Sequence, residues 1–251
     1  MEVLMSPAEF AALPSRDLSQ AVCVVFDILR ATSTIVTALG NGANAVIPVS
    51  EISEALALRK RRPEILLAGE RDGVRIEGRL AGGTAFDLGN SPREFTPAVV
   101  TGRTIAMTTT NGTRALRACA RAGTVLLGAF LNLTVTVQWI QQHRPAQLLL
   151  VCSGTGEEAA YEDCLAAGAF SEALLPLYRA AAISDSVLMA RQQYASERAN
   201  LVAGLGKGRN GTRLLYHPAL KDDIAVCAQL DAMPVLASMA QDGIVTASAP
   251  K

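Results

Sequence analysis

The stretch VVFDILRATST, Val24 to Thr34, begins as an apolar, β-type run and ends in a string of hydroxyls. Between them stand an acid, Asp27, and a guanidinium, Arg30. The continuation TSTIVTALGNG reads as a helix that glycine closes, with Thr32, Ser33 and Thr34 in its first turn. A helix start needs one capping oxygen. An acid, a guanidinium and three hydroxyls exceed that need. Together they suit the holding of a negatively charged group, with a metal as a bridge.

The same alternation continues outward. AVCVVFD, NAVIPV, EILLAGE, TIAMTTT, TVLLGAF and QLLLVCSG read as strands. SEISEALALRKRR (capped by Ser50 or Ser53), GTRALRACARAG and LTVTVQWIQQH read as helices between them. Strand and helix at this spacing indicate an α/β fold with a mostly parallel or mixed sheet covered by helices on both faces. From about Glu162 to Leu230 the pattern is helical, and GIVTAS near the end is the next strand signal. The expected organisation is one domain over residues 1–251, with a subdivision near 160 between a sheet-rich and a helix-rich portion. GRLAGGTA, Gly78 to Ala85, is the candidate mobile loop.

With 251 residues, half of them hydrophobic, the chain can bury a substantial core. Its 23 basic and 23 acidic residues balance. That argues against nucleic-acid or membrane-surface binding by bulk electrostatics. Five scattered cysteines without a CxxC pair point to reduced thiols in a cytoplasmic protein rather than a disulfide framework or zinc site. No apolar run approaches ~18 residues, so no membrane span is expected.

Ligands of open parallel sheets bind beyond the carboxyl ends of the strands. Four such ends carry polar clusters: Asp27 with Arg30 and Thr32 to Thr34, Glu70 with Arg71, TTTNGT at Thr108 to Thr113, and CSGTGEE at Cys152 to Glu158. Singly, each is an ordinary cap or turn. Their convergence on one sheet edge favours a site. Helix-start N–H groups, hydroxyls and an arginine fork bind phosphate or sulfonate. Carboxylates beside an anion require a cation, and Mg²⁺ takes oxygen ligands and bridges them to phosphate. Asp27 and Glu70 are the expected ligands. Glu162 and Asp163 in YEDCLAAG fit a helix N-terminus as well as a site. GKGRNG, Gly206 to Gly211, matches GxGxxG but follows a helix-type run, so it lacks the dinucleotide-binding context.

DILRATST, GERDGVRIEG, FDLGNSP, TTTNGT and CSGT followed by YEDCLAAGA stand in the order found in the 2-phosphosulfolactate phosphatase family. The resemblance runs from about Val22 to Asp231, ending with DDIAVCAQLD. It implies a three-layer α/β/α fold, a homodimer, and Mg²⁺-dependent hydrolysis of (R)-2-phospho-3-sulfolactate, a step of coenzyme M biosynthesis. Asp27 and Arg30 match its first motif, and Glu70, Arg71 and Glu77 its second. Asp87, Asn90 and Ser91 match the third, and Thr109, Asn111, Gly112 and Thr113 the fourth. Cys152, Ser153, Gly154, Glu162 and Asp163 match the fifth. The insertion RLAGGTA and the acids Glu157 and Glu158 depart from the family pattern. The combined reading gives Asp27, Glu70 and Asp163 as metal ligands, with Arg30, Thr32 to Thr34 and the TNGT backbone around the oxyanion. Water, a carboxylate and Cys152 remain alternative attacking groups.

Overall fold

The computed structural model of the chain describes residues 1–179 and 182–248, and its elements follow the apolar runs. The strands are β1 (Glu2–Leu4), β2 (Ala21–Phe26), β3 (Ala45–Pro48), β4 (Leu66–Arg71), β5 (Val74–Arg75), β6 (Thr104–Thr108), β7 (Thr124–Gly128), β8 (Gln147–Cys152), β9 (Leu236–Met239) and β10 (Val245–Ser248). The helices are α1 (Pro7–Phe10), α2 (Ala31–Gly40), α3 (Ile52–Arg61), α4 (Pro97–Val100), α5 (Gly112–Ala118), α6 (Leu133–His143), α7 (Tyr161–Leu174), α8 (Asp185–Glu197), α9 (Leu201–Lys207), α10 (Arg209–Leu215) and α11 (Asp223–Cys227).

All six residues of β2 are buried. A strand covered on both faces needs no polar alternation, which is why AVCVVF is uniformly apolar. The strands form one sheet in the order β1-β8-β2-β7-β9-β10-β3-β6-β4-β5. Its parallel pairings build two blocks, β1-β8-β2-β7 and β3-β6-β4. The β9–β10 hairpin lies between them, antiparallel to β7 on one side and to β3 on the other. The sheet is therefore mixed, and residues from the end of the chain join two parallel halves. Phe26 from β2 meets Phe170 from α7 edge to face, with ring centroids 4.9 Å apart, at the centre of the main core.

Three strands, β1, β5 and β9, have no counterpart in the sequence reading. Each is four residues or shorter, and such strands owe their state to a neighbour's ladder more than to their own pattern. The cap of α3 also differs. It is Glu51, with Ser53 inside the helix, while Glu54 accepts the Ser50 N–H at 3.2 Å. The loop GRLAGGTA places Ala81 in a small second core with Ile65, Leu67, Ile76 and Phe86.

Close packing of α7 on α8 depends on Gly168, where an added Cβ would lie 2.1 Å from the Ala190 carbonyl oxygen. Overpacking of this kind costs typically about 1–3 kcal/mol. Gly168→Ala is expected to lower stability by at least that much in denaturant unfolding. An unchanged midpoint would show that the two helices have room to spare.

Candidate active site

The loop after β2 is held by its own side chains. Asp27 Oδ1 accepts the Ala31 N–H at 2.9 Å, and Thr32 Oγ1 accepts the Asp27 N–H at 3.0 Å. Ser33 donates to the Ile28 carbonyl at 2.9 Å, and Thr34 to the Asn90 carbonyl at 2.9 Å. All three hydroxyls are buried and committed. They shape the loop, and none of the three lines the cavity at this edge of the sheet. Arg30 is 4% exposed; it donates to Asp223 at 2.7 Å and to the Gly73 carbonyl at 2.7 Å.

The other strand ends converge on the same place. Glu70 accepts from the Gly73 N–H at 2.7 Å, and from the Thr110 N–H and hydroxyl at 3.0 and 2.9 Å. Gly112 opens α5 so close to the β2 loop that a Cβ there would stand 2.8 Å from Asp27 Oδ2. One cavity results, lined by Asp27, Leu29, Arg30, Glu70, Asp72, Gly73, Asn90, Thr109, Thr110, Asn111, Thr155, Gly156, Asn210, Arg213 and Leu214. Asn90 Oδ1 and Thr109 Oγ1 are buried there without a hydrogen-bond partner among the described residues.

Other expected site residues act as supports. Asp163 takes the Ile28 N–H at 2.8 Å and the Gly154 N–H at 3.1 Å, tying the loops after β2 and β8 together. Ser91 donates to Asp223 at 2.6 Å, and Thr113 to the Thr109 carbonyl at 3.2 Å. Arg71 turns toward Thr108, the Ser50 carbonyl and its neighbour's carbonyl, outside the cavity. Ser153 is buried with its hydroxyl unpartnered, again outside it. Cys152 is fully buried, and burial, with Cys164 beside it, pushes its thiol well above the ordinary range. A thiol kept neutral and enclosed is a poor nucleophile, and Cys152 does not line the cavity. Asp87 is held by the Leu67 N–H and Arg59. Glu77 faces Arg79 at the surface. The additional acids Glu157 and Glu158 pair with Arg114 and Arg209 at 2.9 and 2.7 Å and stay out of the cavity.

Charge decides what the cavity can accept. Burial first, then repulsion from Glu70 and Glu162, raises the Asp27 carboxyl to about 7 against the Ala31 hydrogen bond. The lining holds Asp27, Glu70 and Asp72 against Arg30 and Arg213, and Arg30 is already matched by Asp223. A phosphate has little net positive field to enter. Two like unit charges ~4 Å apart repel by about 4 kcal/mol at an effective dielectric of about 20, and a cation between acid and anion would relieve that repulsion. Among the described residues no three His, Cys, Asp or Glu side chains converge as a ready metal cage. Mg²⁺ needs none, since it is usually held by one or two carboxylates plus phosphate and water. Asp27 Oδ2 accepts no hydrogen bond from the described residues, and the orphaned oxygens of Asn90 and Thr109 share its cavity. Asp27 and Glu70 line the cavity and could hold a hard cation there, Glu70 through lone pairs left beside its three hydrogen bonds; Asp163 does not line it.

The family profile of 2-phosphosulpholactate phosphatase matches residues 9–242. The chain belongs to this family. A probable 2-phosphosulfolactate phosphatase of Caldanaerobacter subterraneus subsp. tengcongensis is 39% identical over 241 residues, covering 95% of each chain. Another, of Symbiobacterium thermophilum, is 36% identical over 237 residues, covering 92% of this chain and 97% of the relative. A third, of Trichormus variabilis, is 36% identical over 239 residues, covering 92% and 94%.

The family motifs thus divide into residues that face the cavity and residues that hold it open. Asp72, Gly73, Thr110, Thr155 and Gly156 lie inside the strand-end clusters and motifs read from the sequence but are not among the residues singled out there. Sequence reading missed a wall from the helix-rich portion. Asn210, Arg213 and Leu214 belong to the GKGRNGTRLL stretch, where the dinucleotide reading was rightly set aside but the glycine-rich break between two helices was the signal. Asp223 sits in DDIAVCAQLD, the stretch that closes the family resemblance, and is not among the site residues expected from the sequence.

Two stability measurements check this arrangement. Removing one member of a buried ion pair costs about 3–5 kcal/mol. Asp223→Ala should lose that much, and Arg30→Met combined with Asp223→Leu substantially less than the sum of the single changes. Additive losses would mean the pair is not coupled. Asp27 has a folded-state value above its unfolded one, so its stabilising contribution is complete below pH ~4 and is lost as pH rises toward 7. Asp27→Asn should therefore raise the unfolding temperature more at pH 8 than at pH 5, with a gain of roughly 2–4 kcal/mol at the higher pH. An equal or negative shift at pH 8 would contradict a strained carboxylate.

Proposed function

We propose that this chain is a Mg²⁺-dependent phosphomonoester hydrolase converting (R)-2-phospho-3-sulfolactate to 3-sulfolactate and phosphate, the reaction type of coenzyme M biosynthesis. The observation that carries the reading is the cavity at the carboxyl edge of the sheet, where Asp27 offers a free carboxylate oxygen beside Glu70 and Arg30. The names of the relatives supply the substrate. A homodimer in the cytoplasm belongs to the same proposal. No helix among the described residues is long and apolar enough to cross a membrane.

Mg²⁺ held by Asp27 and Glu70 would neutralise charge on the phosphoryl oxygens. Glu70 is fixed by three hydrogen bonds from Gly73 and Thr110, so it keeps its place whether or not substrate is bound. Arg30 has two of its five N–H groups engaged, and the rest are available to phosphate oxygens. A site carboxylate must also take a proton from water or attack phosphorus itself; Asp27 is placed for either route where its Oδ2 is not the oxygen given to the cation. The buried supports, Asp163 among them, hold the loops so that no reorganisation is needed at the moment of reaction.

The test is phosphate release from 2-phosphosulfolactate, 2-phospholactate, phosphoglycolate and p-nitrophenyl phosphate, with Mg²⁺ and with EDTA. Release should need Mg²⁺ and be fastest with the sulfonated ester. Asp27→Asn and Glu70→Gln should each lower kcat/KM by ~10²-fold or more while folding normally, and Cys152→Ser should stay active. Near-normal turnover in Asp27→Asn would remove Asp27 from the chemistry. Release insensitive to EDTA would remove the metal.

A further inference from the structure

Around the cavity, most arginines are already matched. Arg30 pairs with Asp223, Arg93 faces Asp222 and Asp223, Arg114 pairs with Glu157, and Arg209 with Glu158. Arg213 differs from all of them. It lines the cavity, its residue is exposed, and among the described residues it has neither an ion pair nor a side-chain hydrogen bond. Its place is nevertheless well defined. Asn210, one turn earlier on α10, donates to Thr155 Oγ1 and to Glu162, each at 2.6 Å. Leu214, the next residue, is buried. These contacts anchor the helix and leave the guanidinium at the rim. A Cβ added to Gly73 would lie 3.6 Å from Arg213 Nη2 and 3.9 Å from Arg30 Nη2, so the two guanidinium groups flank the same backbone turn, one buried and matched, the other open.

An unmatched guanidinium beside a cavity with three acids is poorly explained by packing. It is well explained by an anion that arrives with the ligand. The floor holds the phosphoryl group in the reading given above, on which this inference rests, so the rim cation meets a different part of the molecule. We propose that Arg213 is a specificity residue that binds a second oxyanion of the substrate, a sulfonate or carboxylate carried near the ester. Its role is to favour small phosphate esters bearing a further acid group over simple monoesters. The planar fork suits either anion, and substrates that differ only in that group tell them apart.

The experiment compares Arg213→Gln and Arg213→Lys with the unmodified protein. kcat and KM are measured for 2-phosphosulfolactate, 2-phospholactate and p-nitrophenyl phosphate, and calorimetry gives Kd for sulfolactate and inorganic phosphate. In Arg213→Gln, the kcat/KM ratio of acid-bearing to simple ester should fall at least tenfold, mainly through KM, and Arg213→Lys should recover part of it. Loss limited to the sulfonated ester assigns sulfonate; an equal loss with phospholactate assigns carboxylate. Equal losses on p-nitrophenyl phosphate, or an unchanged ratio, overturn the proposal. Calorimetry separates the two readings: if no ester is hydrolysed yet Arg213→Gln weakens sulfolactate at least tenfold more than phosphate, the reaction is wrong and the arginine's role stands. Equal weakening of both ligands, or no binding of sulfolactate by the unmodified protein, overturns it.

Discussion

A guanidinium at 4% exposure must find a carboxylate, and Arg30 finds Asp223, 193 residues further along the chain. Burying both charges is expensive, and the geometry has to be good for the pair to persist. Here Asp223 is fully buried and also takes the Ser91 hydroxyl, while Arg30 also reaches the Gly73 carbonyl. Four segments of the chain meet at this one contact. It ties α11 to the loop after β2, to the β4–β5 turn and to Ser91 at the edge of the sheet.

Around that contact the polar residues fall into two groups. Thr32, Ser33, Thr34, Thr113 and Asp163 spend their hydrogen bonds on backbone groups, and Ser91 spends its own on Asp223. Backbone at a strand end cannot be buried with its N–H and C=O groups unmatched, and these side chains do the matching. Asp27, Asn90 and Thr109 retain oxygens without a hydrogen-bond partner among the described residues. Unmatched buried oxygens cost stability, and burial raises the Asp27 carboxyl for the same reason. Such a cost is carried where a ligand completes the set.

Much of this was legible in VVFDILRATST and its neighbours. The long apolar runs gave the strands of the parallel blocks, because burial on both faces leaves a strong mark in sequence. The strand-end clusters gave the cavity floor, because connectivity alone places them on one edge. What stayed hidden was orientation. Nothing in the order of residues tells Asp163 from Asp27, since both are acids beside a turn, yet one faces two backbone N–H groups and the other faces the cavity. The hairpin of β9 and β10 was half hidden because a short strand is stabilised by neighbours far away in sequence. Arg213 and Asp223 were hidden for the same reason, as their partners are set by tertiary folding.

The central claim is that Asp27 and Glu70, and not Asp163, meet a divalent cation. Anomalous diffraction from crystals soaked in Mn²⁺, as a stand-in for Mg²⁺, tests it most directly. The expected result is a peak in the cavity within bonding distance of Asp27 and Glu70. A peak coordinated by Asp163, or Mn²⁺ bound only elsewhere on the molecule, would contradict it.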